Sequence, residues 1–127
     1  FNSLVTIQAT SPMLKASDLD SAVSDFNKKG YDSLFSAVRT KRFFWEEESP
    51  NPINYNYMNR PRRQDFNGLL MENGSFYITS KELLTRTQNR LGGVIGYYEM
   101  SEENSLELDE PLDWLILEEI ARNKLGN

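Results

Sequence analysis

Leu4-Val5-Thr6-Ile7-Gln8-Ala9-Thr10-Ser11-Pro12, followed by Asp18 to Gly30 and then by Asp32-Ser33-Leu34-Phe35-Ser36-Ala37-Val38, is the stretch that decides the fold. Leu4 to Gln8 is a short apolar run rich in β-branched residues, which suits a strand, and Thr10-Ser11-Pro12 ends it in a turn. Leu19, Ala22, Val23 and Phe26 then repeat at helical spacing. Ser17 is placed to cap that helix at its start near Asp18, and Gly30 is a natural stop. The run from Asp32 to Val38 reads as a second strand. Strand, helix, strand in this order predicts a parallel pair joined by a helical crossover, the unit of an open α/β sheet.

Working outward, the pattern changes between Arg39 and Leu70. Phe43-Phe44-Trp45 is an aromatic knot, Glu46-Glu47-Glu48 a charge run, and Pro50, Pro52 and Pro61 discourage helix. So long a stretch of extended arm and loop is expected to have a functional or intersubunit purpose. The α/β rhythm resumes with a strand from Gly74 to Thr79, a short helix from Lys81 to Arg86 capped by Ser80, and a strand from Gly93 to Met100. A last helix is expected from about Pro111, carrying Leu112, Leu115, Ile116 and Ile120 and stopping at Gly126.

The 127 residues suffice for one compact domain. With 39% hydrophobic and 26% charged residues, the composition is that of an ordinary globular chain. A formal net charge of −5 argues against a duplex-DNA partner, whose binding rests on neutralising phosphates. No cysteine is present, which excludes disulfides and thiolate zinc sites. No histidine is present either, so the usual general base is missing and hard cations on carboxylates are the metals that remain. No apolar run is long enough to span a bilayer, and no membrane or nucleic-acid partner is expected. The chain opens at Phe1 and passes almost at once into a strand, so it is read as starting within a longer protein.

Four segments carry side chains suited to a site. Gln8, Thr10 and Ser11 lie where a strand runs out at its carboxyl end, the place where open α/β sheets bind ligands. They offer an amide and hydroxyls for a sugar or base edge, and equally suit a loop and helix cap. Arg60, Arg62 and Arg63, with Gln64 and Asp65 following, concentrate guanidinium groups in an otherwise acidic chain, as an anion site would or as a solvated loop balancing nearby glutamates would. Glu107 and Asp109 are two apart, so an extended segment turns both carboxylates to one face, where they could hold Mg²⁺; Asp109 or Glu110 could equally cap the last helix. Asn73-Gly74 before an alternating strand is ordinarily a turn, and as site residues Asn73 and Tyr77 would reach a sugar from the strand mouth.

In this order the segments resemble the N-acylneuraminate (sialic acid) cytidylyltransferases. Gln8 to Pro12 matches the family's Q-[AP]-T-S-P, and Ser36-Ala37-Val38 its S-[AV]-V. RPRRQDF at Arg60 to Phe66 and ENGSFY at Glu72 to Tyr77 look like the animal-type members. YYEM at Tyr97 to Met100 and the S-x-[DE]-x-D…DW of Ser105 to Trp114 complete a match over nearly the whole chain. The resemblance implies an open, mostly parallel α/β sheet with helices on both faces, of the nucleotide-diphospho-sugar transferase type. It also implies that residues 1–127 form the C-terminal portion of one catalytic domain, with a dimerisation arm at about 40–70.

The implied reaction moves CMP from CTP to the anomeric hydroxyl of a sialic acid and releases pyrophosphate. Its implied cofactor is Mg²⁺ or another divalent cation, and its implied partners are CTP, a nonulosonic acid sugar, and a second copy in a homodimer or a dimer of dimers. KDN or another 2-keto-3-deoxy sugar acid is the alternative substrate, and a non-catalytic dimerisation or sugar-binding module the alternative class. Asp109 and Arg62 take catalytic roles, and Asp109 with Glu107 takes the metal. Gln8, Thr10, Ser11, Arg62, Arg63, Gln64, Asn73 and Tyr77 bind substrate, Arg62 acting from the dimer partner. A bacterial source implies the cytoplasm, and an animal source leaves the nucleus open. Three departures stand out: Glu107 where the family usually has aspartate, Phe44 where a basic residue commonly precedes the arm's tryptophan, and no glycine- and lysine-containing CTP loop. The fragment by itself is therefore expected to be inactive.

Overall fold

The computed structural model describes residues 2–105 and 111–125. In chain order the elements are β1 (Ser3–Ile7), α1 (Ala16–Lys29), β2 (Ser33–Thr40), β3 (Leu69–Ser80), α2 (Lys81–Thr87), β4 (Ile95–Met100) and α3 (Pro111–Leu125), with short 3₁₀ turns at Tyr57–Asn59 and Arg63–Asp65. Helix α1 starts earlier than the sequence predicts, at Ala16, with Lys15 as its N-cap residue. Asp18 in the first turn reaches back to accept from the Lys15 backbone N–H at 3.3 Å, which supplies an orphan donor with a partner. Gly30 ends the helix in the left-handed region (φ 66°), as expected. Ser80 caps α2 by accepting from Leu83 N at 3.2 Å, also as expected.

Among the described residues the strands form one mixed sheet in the order β1-β3-β2-β4, with two antiparallel ladders and one parallel, in place of the mostly parallel sheet expected. The expected parallel pairing of the first two strands is corrected. β3 lies between them and runs antiparallel to both, from Ser3↔Ser80 to Ile7↔Phe76 on one side and from Ser33↔Thr79 to Thr40↔Leu69 on the other. The crossover through α1 still leaves β1 and β2 pointing the same way, but it steps over one strand position. The parallel ladder is β2 with β4, from Ser33↔Ile95 to Val38↔Met100. The physical reason is burial. Ser75 to Thr79 of β3 is covered on both faces and takes a central place, whereas β1 exposes Leu4, Val5 and Ile7 at an edge.

Alternation puts Leu34, Phe76, Ile78 and Met100 on one face, where Ala22 and Phe26 of α1 complete the core. Each such large side chain removed from water contributes about 1.5–3 kcal/mol. The opposite face meets the segment after α2. Thr79 Oγ1 donates to Arg90 O at 2.8 Å, Ser33 Oγ to Gly92 O at 2.8 Å, and the Arg90 guanidinium sits 4.1 Å from the centre of the Tyr77 ring. A further clasp joins α1 to β4, where Tyr98 Oη donates to Asp18 Oδ1 at 2.9 Å. Burial, then that bond, raises the Tyr98 hydroxyl's pKa above the ordinary tyrosine value.

The segment between β2 and β3 folds back on itself. Trp45 and Pro52 form an isolated bridge, and the Asn54 amide accepts from Phe44 N at 2.9 Å while donating to Arg42 O at 3.0 Å. Phe43 stacks on Tyr55 at 4.0 Å and meets Phe66 at 5.0 Å, with the Arg60 guanidinium 4.9 Å above its ring. Trp45 Nε1 donates to Tyr55 Oη at 3.1 Å. Aromatic contacts of this kind order a loop that has no apolar core of its own.

Candidate functional site

β2 and β4 run parallel, and a cleft of about 450 Å³ lies at their carboxyl ends. Val38, Arg39 and Thr40 supply one wall, Met71, Glu72 and Asn73 of β3 another, and Glu102, Ser105 and Asp113 the third. Ligands of open α/β sheets bind outside the carboxyl ends of the strands. Arg39 is held by a two-bond ion pair to Glu99, its Nη2 and Nε lying 2.9 and 3.2 Å from the carboxylate oxygens, and its Nη1 donates to Asn67 O at 3.0 Å. The Glu99 bond raises the guanidinium's pKa further, so Arg39 remains a fixed cation. A second cleft of about 420 Å³ adjoins the first through Arg39, Thr40, Arg42 and Glu102, and adds Lys41 and Arg63. A third, of about 590 Å³, continues along Lys41, Arg42 and Arg63 to Phe43, Phe44 and Arg60. The second and third clefts together make a cationic channel in an acidic chain, suited to phosphate or carboxylate, whereas the first sets Glu72, Glu102 and Asp113 against Arg39 and Arg42.

The residues singled out from sequence are distributed unevenly about this channel. Arg63 lines two of the clefts, and its carbonyl accepts from Lys41 Nζ at 3.0 Å. Arg62 is exposed and paired with Asp65 at 2.9 Å, and Gln64 is exposed in the turn between them. Asn73 is buried at the edge of the first cleft, its side chain bonded to Ser36 and to Ser75. Tyr77 is only 3% exposed and meets the cleft through Glu72, to which its hydroxyl donates. Gln8 is half-buried, with its backbone N–H donating to Ser75 O at 2.8 Å, and Thr10 is exposed. Ser11 is buried, and its hydroxyl accepts from Ser75 Oγ at 3.0 Å. Pro12 shares a small apolar cleft with Trp114 and Leu117 of α3. Glu107 and Asp109, with Glu110, lie outside the described residues.

Sequence reading missed Arg39, Glu72 and Glu102 as cleft residues. A strand end carrying Arg39 directly after Ser36-Ala37-Val38 was the available signal for the first. Nothing in the spacing marked the other two. Among the described residues no three His, Cys, Asp or Glu side chains are grouped to hold a metal ion, and no helix is long and apolar enough to cross a membrane.

No family model matches the chain. Similarity to individual proteins is extensive. The chain is 45% identical over 122 residues to the N-acylneuraminate cytidylyltransferase A of Danio rerio, which covers 91% of this chain and 28% of that protein. It is 42% identical over 119 residues to the N-acylneuraminate cytidylyltransferase of Oncorhynchus mykiss, covering 89% and 27%. To the N-acylneuraminate cytidylyltransferase B of Danio rerio it is 39% identical over 119 residues, covering 89% and 28%. The chain thus spans little more than a quarter of the length of these curated relatives. Identity of this level over nine-tenths of its residues makes the chain similar to one segment of the N-acylneuraminate cytidylyltransferases.

Proposed function

We propose that the complete protein transfers CMP from CTP to the anomeric hydroxyl of a sialic acid. The anomeric oxygen attacks the α-phosphorus, the bond from that phosphorus to the bridging oxygen breaks, pyrophosphate leaves, and the hydroxyl proton is lost. The observation that carries this reading is the identity of 39–45% with proteins named for that chemistry. The cationic channel along Lys41, Arg42, Arg60 and Arg63 supports it, because phosphoryl-type transfer depends on positioning and charge neutralisation and needs no histidine.

In this reading Gln8 and Thr10 meet the sugar, with Ser11, Asn73, Tyr77 and Gln64 around it, and Arg62 and Arg63 answer the sugar carboxylate or the phosphates. Asp109 and Glu107 would hold Mg²⁺. The donor set fits a hard cation, since with neither histidine nor cysteine the chain's acidic ligands are all carboxylate oxygens, and Ser105 and Asp113 on either side of that segment both line the first cleft. A divalent cation there would neutralise phosphate charge. The arm at about 40–70, with Trp45, Tyr57 and Met58 exposed, is proposed to reach a second copy in a homodimer.

The test is pyrophosphate release by the full-length protein from CTP with N-acetylneuraminate, KDN and KDO in parallel. Release with none of the three removes the reading, and the relative kcat/KM values name the substrate. A residue-level test follows from the loop geometry. Arg62→Ala is expected to raise the sugar's KM about tenfold at little change in kcat, the size of a lost charge-assisted hydrogen bond. Its ion pair to Asp65 is exposed and worth about 0–1 kcal/mol, so it can yield to a ligand. If Arg63→Ala has this effect and Arg62→Ala does not, the anion is held in the channel with Lys41 and Arg42.

A further inference from the structure

Between Phe35↔Tyr77 and Ala37↔Glu72 the ladder of β2 and β3 loses register. β2 takes two steps there while β3 takes five, so a bulge spanning Asn73, Gly74, Ser75 and Phe76 stands in the middle of a central strand. Gly74 gives it a left-handed residue (φ 71°). The bulge lies level with the first cleft, where Glu72 and Asn73 form a wall.

Side chains replace the missing ladder bonds. Ser36 Oγ donates to Asn73 Oδ1 at 2.6 Å and accepts from Phe76 N at 3.0 Å. Asn73 Oδ1 also accepts from Ser75 N at 3.1 Å, and its amide N–H points to Met100 Sδ at 3.4 Å. Ser75 Oγ donates to Ser11 Oγ at 3.0 Å, beside the backbone bond from Gln8 N to Ser75 O at 2.8 Å. One polar chain therefore ties the loop after β1, the middle of β2 and the end of β4 together through the bulge. Ser36 and Ser75 are wholly buried, Ser11 and Asn73 nearly so. Buried hydroxyls and amides cost stability unless every one is bonded, and a regular strand with apolar residues would avoid that risk. Among the described residues no buried side-chain polar atom lacks a partner. A fully bonded network of this kind selects one arrangement among several of similar packing.

We infer that Ser36, Asn73, Ser75 and Ser11 are positioning residues: their buried network ties the Gln8–Thr10 loop to the β3 bulge that also carries Glu72 and Asn73 into the cleft wall, and so fixes the sugar side of the site. The inference rests on the transfer reading above and deepens it. Ser11 and Asn73 act through their neighbours: Asn73 spends its carbonyl oxygen on Ser36 and Ser75, and Ser11 holds the loop that presents Gln8 and Thr10.

The experiment uses the full-length enzyme with Ser75→Ala and Ser11→Ala, singly and together, since each removes the same bond from opposite ends and Ser11→Ala leaves β3 untouched. Thermal melts are recorded beside steady-state pyrophosphate release, varying sugar acid and CTP separately. Each single variant is expected to raise the sugar's KM about tenfold, with the KM for CTP and kcat changed less than about twofold. The double variant should be no worse than either single, because only one bond is lost. A merely structural role lowers the folded fraction, which reduces apparent kcat and leaves both KM values in place; that result overturns the inference, as does an unchanged sugar KM or an equal rise for both substrates. A wild-type enzyme releasing no pyrophosphate overturns the transfer reading itself and the inference with it, an outcome visible before any variant is made.

Discussion

Gly96→Ala is expected to destabilise the fold by about 2 kcal/mol, within the range of overpacked cores, with little of the damage repaired by relaxation. Gly96 is buried in β4 opposite Leu34, and the Tyr31 ring lies flat against the place where a side chain would begin. A Cβ there would stand 2.2 Å from Tyr31 Cδ2 and Cε2 and 2.5 Å from Cζ, well inside van der Waals contact. The ring cannot simply swing away. Tyr31 directly follows the Gly30 cap, its N–H is bonded to Phe26 O at 3.3 Å, and its side chain packs on the core cluster. Equilibrium denaturation measures the effect. The double variant Gly96→Ala with Tyr31→Ala should cost less than the two single costs added, because truncating the ring removes the clash. A Gly96→Ala protein within about 0.5 kcal/mol of wild type would mean that Tyr31 does not hold its place.

The larger functional effect is expected from Asp109→Asn in the complete enzyme, with turnover falling by at least about a hundredfold. The substitution separates the two roles open to Asp109. Asparagine caps a helix as well as aspartate does and matches its shape, so a capping role survives the change in both folding and turnover. Loss of the negative charge removes a hard ligand for a divalent cation and leaves little else altered. Pyrophosphate release across a Mg²⁺ titration, with the melting temperature as the control for folding, reads both. A normal melt with collapsed turnover supports the metal role, and near-normal turnover assigns Asp109 to the start of α3. Asp113, in the first turn of that helix, lines the first cleft.

Local elements were legible in the sequence because their determinants are local. The Leu4–Ile7 run, the helical repeat of Leu19, Ala22, Val23 and Phe26, the Gly30 stop and the Ser80 cap all act within a few residues of themselves, and each is found where it was expected. Sequence order of motifs likewise sufficed for the resemblance to N-acylneuraminate cytidylyltransferases, since identity to relatives needs no coordinates. What only the tertiary structure decided is which strands are neighbours. Alternation says which residues share a face, but not what lies beside a strand; β3 took the place between β1 and β2 because its Ser75–Thr79 stretch had to be covered on both sides. Asn73-Gly74, which reads as a turn, became a bulge inside a longer strand for the same reason: Ser36, thirty-seven residues away along the chain, supplied the bond that a turn would have made for itself. The arginines divide in this way too, Arg63 meeting the channel with Lys41 and Arg42 while Arg62 faces Asp65, a distinction made by the turn at Arg63–Asp65 and not by their spacing. Contacts between residues far apart in the chain are set by packing and by the need to satisfy buried polar groups, and both arise only once the sheet has closed over them.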